Sequence, residues 1–131
     1  MGDFGLGPEV RRIIAANLAT MDHVELLLLL YKAAPASRSL DEMVRDTRRP
    51  AQLIINAVAD LGSGGLVSKA ADPAGVDSYK YDPRSESLRS AVAEVVDVYN
   101  TRPVTLIRAI YDRPAQPVMS FAEAFRVRGD G

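Results

Sequence analysis

The spacing of apolar residues changes twice along this chain, and that change limits the folds open to it. Up to Leu61, and again after Pro83, apolar side chains recur every three or four residues, as on one face of an α-helix. Between them, residues 66–69 and 78–81 form two short extended segments, separated by a turn that contains Asp-Pro-Ala-Gly at residues 72–75. The sequence therefore predicts a mainly helical protein with one small β-hairpin.

The N-terminal region contains two predicted helices. The first begins at Pro8, which suits the first turn of a helix, and covers residues 8–19. The second is capped by Thr20 and contains the aliphatic residues 26–30. Because this helix is apolar on nearly every side, we expect it in the middle of the core, with His23 in its first turn facing solvent.

A pair of shorter helices follows, joined by a tight break. Ser39 and Glu42 have the spacing of a capping box, in which each side chain bonds the backbone N–H of the other residue. Arg-Arg-Pro at residues 48–50 ends that helix and places a proline at the first turn of the next one. The fourth helix should end near Gly62, which is a natural C-cap.

Helical spacing returns after the hairpin. A long helix is expected to start at residues 82–83 and to be interrupted at residues 101–103, and a second capping box at residues 120–123 predicts a last helix. The 131 residues suit one domain. We expect it to comprise an N-terminal helix (8–19), a central core (20–83) and a C-terminal helical extension (84–131).

Side chains that could support catalysis or metal binding are scarce. The chain has no cysteine, which excludes disulfides, zinc fingers and thiol nucleophiles, and His23 is its one histidine. The glycine-rich residues 62–65 lack the Lys-Ser/Thr of a phosphate loop, and the helix dipole explains Asp41 and Glu42. We therefore expect no enzymatic activity, no metal and no cofactor.

The sequence also lacks the features of exported and membrane proteins. The longest aliphatic run covers residues 26–30, whereas a transmembrane helix needs about 20 apolar residues. The first residues do not form a basic segment followed by an apolar one, so no signal peptide is visible. The expectation is a cytoplasmic protein that makes no contact with a membrane.

The central elements follow the order helix, short helix, turn, helix and hairpin. The fourth helix leads through Leu-Gly-Ser-Gly-Gly-Leu-Val at residues 61–67 into the hairpin. Over about residues 20–83, this order resembles the winged helix-turn-helix of bacterial transcription regulators, broadly the MarR-like group. The resemblance implies a winged-helix core with additional N- and C-terminal helices, in which the fourth helix recognises double-stranded DNA and the hairpin is the wing.

Eight residues of this core are predicted to contact DNA. Gln52 and Asn56 lie on the outward side of the fourth helix and can bond base edges, with adenine the favoured partner. Arg48 and Arg49 precede that helix and could hold phosphates or guanine. The full set is Arg38, Arg45, Arg48, Arg49, Gln52, Asn56, Lys69 and Lys80.

The charge balance opposes this hypothesis and leaves alternatives open. The formal net charge is −1, and residues 36–82 carry six basic and seven acidic side chains. DNA binding therefore requires the acidic residues to face away from the DNA. The alternatives are a module that binds a sigma factor, a polymerase subunit or another regulator, which the outward Ile55 favours, and a purely structural dimeric module.

The terminal helices carry more apolar residues than a winged-helix core of about 60 residues needs. Homodimerisation would use this surplus and would place two recognition helices one turn of DNA apart. A pocket for a small apolar effector and packing within one chain are the other possible uses. The residues predicted to form the dimer surface are Val10, Ile13, Ile14, Ile107, Ile110, Tyr111, Phe121 and Phe125.

Overall fold

Six helices and three short strands make up the part of the chain that the computed structural model describes, residues 5–71 and 74–111. In chain order the elements are α1 (Pro8–Asn17), α2 (Met21–Ala33), β1 (Arg38–Ser39), α3 (Leu40–Thr47), α4 (Ala51–Ser63), β2 (Val67–Ala71), β3 (Asp77–Tyr81), α5 (Glu86–Thr101) and α6 (Pro103–Tyr111). The prediction of a mainly helical protein with a small β-hairpin is confirmed.

The first two helices begin where the sequence predicts. Pro8 is the first residue of α1, and the Thr20 side chain caps α2 by accepting a hydrogen bond from the backbone N–H of His23. Six of the 13 residues of α2 are buried and only Lys32 is exposed, which agrees with its predicted place in the middle of the core. No single helix within residues 5–71 and 74–111 is long and apolar enough to cross a membrane, and α1 and α2, which qualify only as a pair, are bent by 112°.

The capping box at the start of α3 has both of its hydrogen bonds. Glu42 donates its backbone N–H to Ser39 Oγ at 3.1 Å, and Ser39 donates its own N–H to Glu42 Oε1 at 2.8 Å. The bond from the Ser39 backbone lowers the pKa of the Glu42 carboxyl below its ordinary value. At the far end of α3, Arg48 adopts a left-handed conformation with φ of 59°, which turns the chain towards α4.

Helix α4 continues slightly beyond its predicted end. It runs through Gly62 to Ser63, and Gly64 is the capping residue. The turn that follows places Gly65 at φ of 76°, a left-handed conformation that glycine adopts without steric cost. The helix therefore ends a few residues beyond Gly62, and the predicted C-cap at Gly62 is wrong. The residue in the left-handed conformation is Gly65.

The sheet is antiparallel, and its strand order is β1-β3-β2. Strands β2 and β3 are the predicted hairpin. Strand β1 was not predicted, because its two residues, Arg38 and Ser39, are too few to show an alternating pattern. It pairs with β3 on the edge opposite β2 and so connects the hairpin to the start of α3.

Helix α5 begins later than the sequence predicts. Asp82 and Arg84 donate their backbone N–H groups to the carbonyls of Leu66 and Gly65, which keeps residues 82–84 extended beside the hairpin. The helix begins only at Glu86, after Ser85 caps it. The predicted interruption at residues 101–103 is confirmed, since α5 ends and α6 begins there.

The hydrophobic core takes side chains from all six helices and from the hairpin. Four residues that were predicted to form a dimer surface, Val10, Ile13, Ile14 and Ile110, are buried inside this core. The correction has a simple cause: α1 packs against α5 and α6 of the same chain, which covers its apolar face. Phe121, Phe125 and the second predicted capping box lie outside the described residues.

Candidate nucleic-acid interface

Helix α4 has two faces of opposite character. Its inner face, formed by Ile54, Ala57, Val58 and Leu61, is buried in the core. Its outward side is exposed along the whole helix, and the exposed residues of α4 are Ala51, Gln52, Ile55, Asn56, Ala59, Asp60 and Ser63. The core therefore holds the helix while the opposite face stays accessible to another molecule.

Two amide side chains share this outward face. Gln52 Nε2 donates a hydrogen bond to Asn56 Oδ1 at 3.0 Å, and the two residues are one helical turn apart. Both residues are exposed, as the sequence predicts for groups that would bond base edges. The bond gives the two amides a defined mutual arrangement.

The adjacent arginines before α4 have different surroundings. Arg49 donates from Nε to Asp22 Oδ1 at 2.7 Å and from a guanidinium N–H to Glu25, so it joins the break before α4 to the first turn of α2. The hydrogen bond to Asp22 is the main cause that raises the pKa of Arg49. Arg48, by contrast, is exposed at the turn. The structure therefore leaves Arg48 accessible to a phosphate, whereas two carboxylates already bind Arg49.

The remaining predicted DNA contacts surround α4 without forming one continuous surface. Arg45 is exposed on α3, while Arg38 on β1 is partly buried and its Nε has no hydrogen-bond partner among the described residues. On the hairpin, Lys69 lies opposite Tyr79 and Lys80 lies opposite Ser68, so the two lysines point to opposite sides of the hairpin. Lys69 also forms an exposed ion pair with Asp77 at 3.3 Å.

His23 does not face solvent, and this expectation is wrong. The residue is only 8% exposed. Its Nδ1 lies 2.9 Å from Thr20 Oγ1, and its Nε2 lies 2.8 Å from Asp60 Oδ2 on α4. It therefore bridges the start of α2 and the later part of α4. The position of Thr20 three residues earlier could have suggested the first bond, but no local pattern indicates a partner 37 residues away.

An apolar groove that sequence reasoning missed lies between α4 and the hairpin. Its volume is about 220 Å³. Its lining comprises Ile55, Val58, Ala59, Gly62, Val67, Ser68, Lys69 and Tyr79. The one sequence signal for it was Ile55, which is 38% exposed on the same face as Gln52 and Asn56.

A second exposed apolar feature lies on α6. Val104, Ile107 and Tyr111 are exposed and are spaced three and four residues apart, so they share one side of the helix. Tyr111 also accepts a hydrogen bond at its hydroxyl from the backbone N–H of Met21, 2.9 Å away, at the start of α2. Ile107 and Tyr111 are the predicted dimer residues that remain accessible within the described part of the chain.

Helix α3, the break after it, helix α4 and the β2–β3 hairpin form a winged helix-turn-helix, and comparison with solved structures supports this assignment. A point mutant of MepR from a multidrug-resistant Staphylococcus aureus clinical isolate matches with a TM-score of 0.54 and 11% identity, over 94% of this chain and 86% of the other. MepR is a winged-helix protein of the MarR family, so the predicted winged-helix fold is confirmed.

A second structure, of another Staphylococcus aureus MepR mutant bound to an oligodeoxyribonucleotide, matches with a TM-score of 0.49 and 13% identity. It covers 92% of this chain and 86% of the other. No family model and no curated protein matches the sequence.

Proposed function

We propose that this protein is a DNA-binding transcription regulator that acts as a homodimer in the cytoplasm. The observation that carries the proposal is the open outward face of α4, where two amide side chains are exposed while the opposite face is buried in the core. A helix fixed in this way fits the major groove of B-DNA, which is about 12 Å wide.

The basic residues around α4 have distinct roles in this proposal. Arg48, beside the start of α4, and Arg45, on α3, bind phosphates on one side of the groove. Lys69 on the wing binds a phosphate on the other side of the groove. To do so, it gives up its ion pair with Asp77. Lys80 and Arg38 contribute long-range attraction at most, because both are partly buried.

Several acidic residues near α4 have partners within the chain, and only some of these partners offset their charge. Asp22 and Glu25 bind Arg49, and Asp60 binds His23. Glu42 accepts the hydrogen bond of the capping box. The proposal requires the acidic residues whose charge no cation offsets, such as Glu42, to lie away from the DNA, so that the exposed Arg45 and Arg48 set the potential at the start of α4.

The homodimer would form through the exposed side of α6. Val104, Ile107 and Tyr111 offer apolar surface there, and a two-fold axis would bring the same residues of two chains together. Phe121 and Phe125 remain proposed members of this dimer surface. Such a dimer would bind two half-sites about one helical turn of DNA apart.

Salt titration of DNA binding tests the proposal. The full chain is titrated with random-sequence duplex DNA from about 50 mM salt upwards, where binding through phosphates should weaken steeply. Arg48→Ala should reduce the slope of log affinity against log salt by about one, while Arg12→Ala, an exposed arginine on α1, should leave it unchanged. Absence of binding at about 50 mM salt would contradict the proposal.

The apolar groove beside Ile55 favours a second candidate function. A protein partner that inserts an apolar side chain into this groove would make the chain a winged-helix interaction module for a transcription component. That function predicts no salt-dependent binding to duplex DNA. The titration above therefore separates the two candidates.

A further inference from the structure

The outward face of α4 has no cation. Residues 51–63 contain neither lysine nor arginine. Bidentate contacts to guanine are usually made by these two residue types, which donate to its O6 and N7 acceptors. Of the cations beside the helix, Arg49 is bound by Asp22 and Glu25, while Arg48 and Lys69 are assigned to phosphates in the function proposed above. The helix itself is therefore poorly equipped to select G·C base pairs.

The amide pair on this face has the donor and acceptor that adenine requires. Within the pair, Gln52 uses one Nε2 hydrogen and Asn56 uses its Oδ1. The carbonyl Oε1 of Gln52 remains as an acceptor, and the Nδ2 group of Asn56 remains as a donor. In the major groove, adenine presents its N6 amino group as a donor and N7 as an acceptor. The pair thus complements the edge of adenine.

The apolar groove beside α4 can accommodate the methyl group of thymine. Ile55 and Ala59 belong to the same outward face as the amides, and both line the groove. Thymine presents a C5-methyl group in the major groove, whereas cytosine does not. The groove volume of about 220 Å³ is ample for a methyl group. An A·T pair therefore offers both partners that this face can bind.

We propose that α4 reads A·T base pairs, binding adenine through the Gln52–Asn56 amide pair and the methyl group of thymine through the groove beside Ile55. This inference rests on the proposed DNA-binding function and specifies the base pairs that it selects. It assigns the groove to DNA, in contrast to the protein partner considered above.

The first stage of the test selects duplexes from a random library with the full chain at about 50 mM salt. The base pairs read by α4 are those whose preference changes in Gln52→Ala or Ile55→Ala, and they should be A·T. Both residues are exposed, so both variants should fold.

The second stage replaces each thymine of the selected duplex in turn with deoxyuridine, which removes the methyl group and keeps the hydrogen-bonding edge. Loss of one buried methyl should weaken binding about three- to fivefold at one position or two. Ile55→Ala should abolish this difference between thymine and deoxyuridine. Gln52→Ala should preserve the difference and relax the preference for adenine instead.

The outcomes separate this inference from the function on which it rests. If duplexes are selected but the positions read by α4 are G·C, or if deoxyuridine binds as well as thymine everywhere, the inference is overturned and DNA binding stands. If no duplex is selected, both are overturned, and the groove is then assigned to a protein partner.

Discussion

Helices α2 and α4 have the same length of 13 residues but different positions in the fold. Helix α2 carries an unbroken aliphatic run at residues 26–30, and six of its residues are buried, including Leu26, Leu27 and Leu30. Helix α4 has four buried residues on one side and leaves the other side open. The distribution of apolar residues around a helix, and not its length, therefore decides whether the helix is enclosed by the core or leaves one side open.

Besides their apolar packing in the core, the two helices are connected by polar contacts at two places, both near the start of α2. Asp22 and Glu25 bind Arg49 before the start of α4, and His23 binds Asp60 in the later part of α4. These polar contacts lie at the border between the buried and the open side of α4. They supplement the buried residues of α4 in holding its open side towards solvent.

The largest expected effect comes from creating a cavity in α2. Leu27→Ala removes a fully buried side chain, so it should lower the free energy of unfolding by about 2–5 kcal/mol. The matched control on α4, Ile55→Ala, truncates a 38% exposed side chain and should cost less than about 1 kcal/mol. Urea unfolding measures both values. If both variants lowered the free energy of unfolding equally, α2 and α4 would not differ in how they contribute to the core.

A smaller effect is expected at the junction of the two helices. Arg49→Ala removes the hydrogen bonds to Asp22 and Glu25, which are partly exposed, so it should cost about 1 kcal/mol. Part of this loss should disappear at high salt, which screens the charges. Arg48→Ala alters the adjacent exposed arginine and should change the free energy of unfolding by no more than about 0.5 kcal/mol. Equal costs for the two variants would show that the Arg49 contacts contribute little.

The features that the sequence predicts correctly depend on near neighbours in the chain. The capping box of Ser39 and Glu42, the cap at Thr20 and the break at residues 101–103 each involve residues within a few positions of one another. Together with the change from helical to extended spacing, these local signals suffice to predict the order of the helices and the hairpin, and hence the winged-helix fold.

The features that the sequence does not reveal depend on distant pairs. Arg49 meets Asp22 across 27 positions, and His23 meets Asp60 across 37. The burial of Val10 follows from the packing of α1 against α5 and α6, which no periodic pattern encodes. The fold was therefore easier to predict than the candidate site, since the site depends on which side chains the tertiary structure brings together.

The smallest change in stability is expected from the capping box of α3, the helix that lies between α2 and α4 in the sequence. Glu42→Gln keeps an oxygen that can accept the Ser39 N–H but removes the charge. Because folding lowers the pKa of Glu42, its charge stabilises the protein above its ordinary pKa of 4.5, and this contribution is lost as the pH falls below that value. The variant should unfold at slightly lower urea than the wild type at pH 7, and the gap should close on acidification.

The control for that prediction separates charge from hydrogen bonding. Glu42→Ala removes the acceptor as well as the charge, so it should remain less stable than the wild type on both sides of pH 4.5. A gap between wild type and Glu42→Gln that widens as the pH falls would contradict the sign of the effect. The capping box forms its hydrogen bonds within residues 39–42 and has no partner on α2 or α4. The interaction free energy between Arg49 and Asp22, measured by a double-mutant cycle, should therefore be the same in either variant as in the wild type.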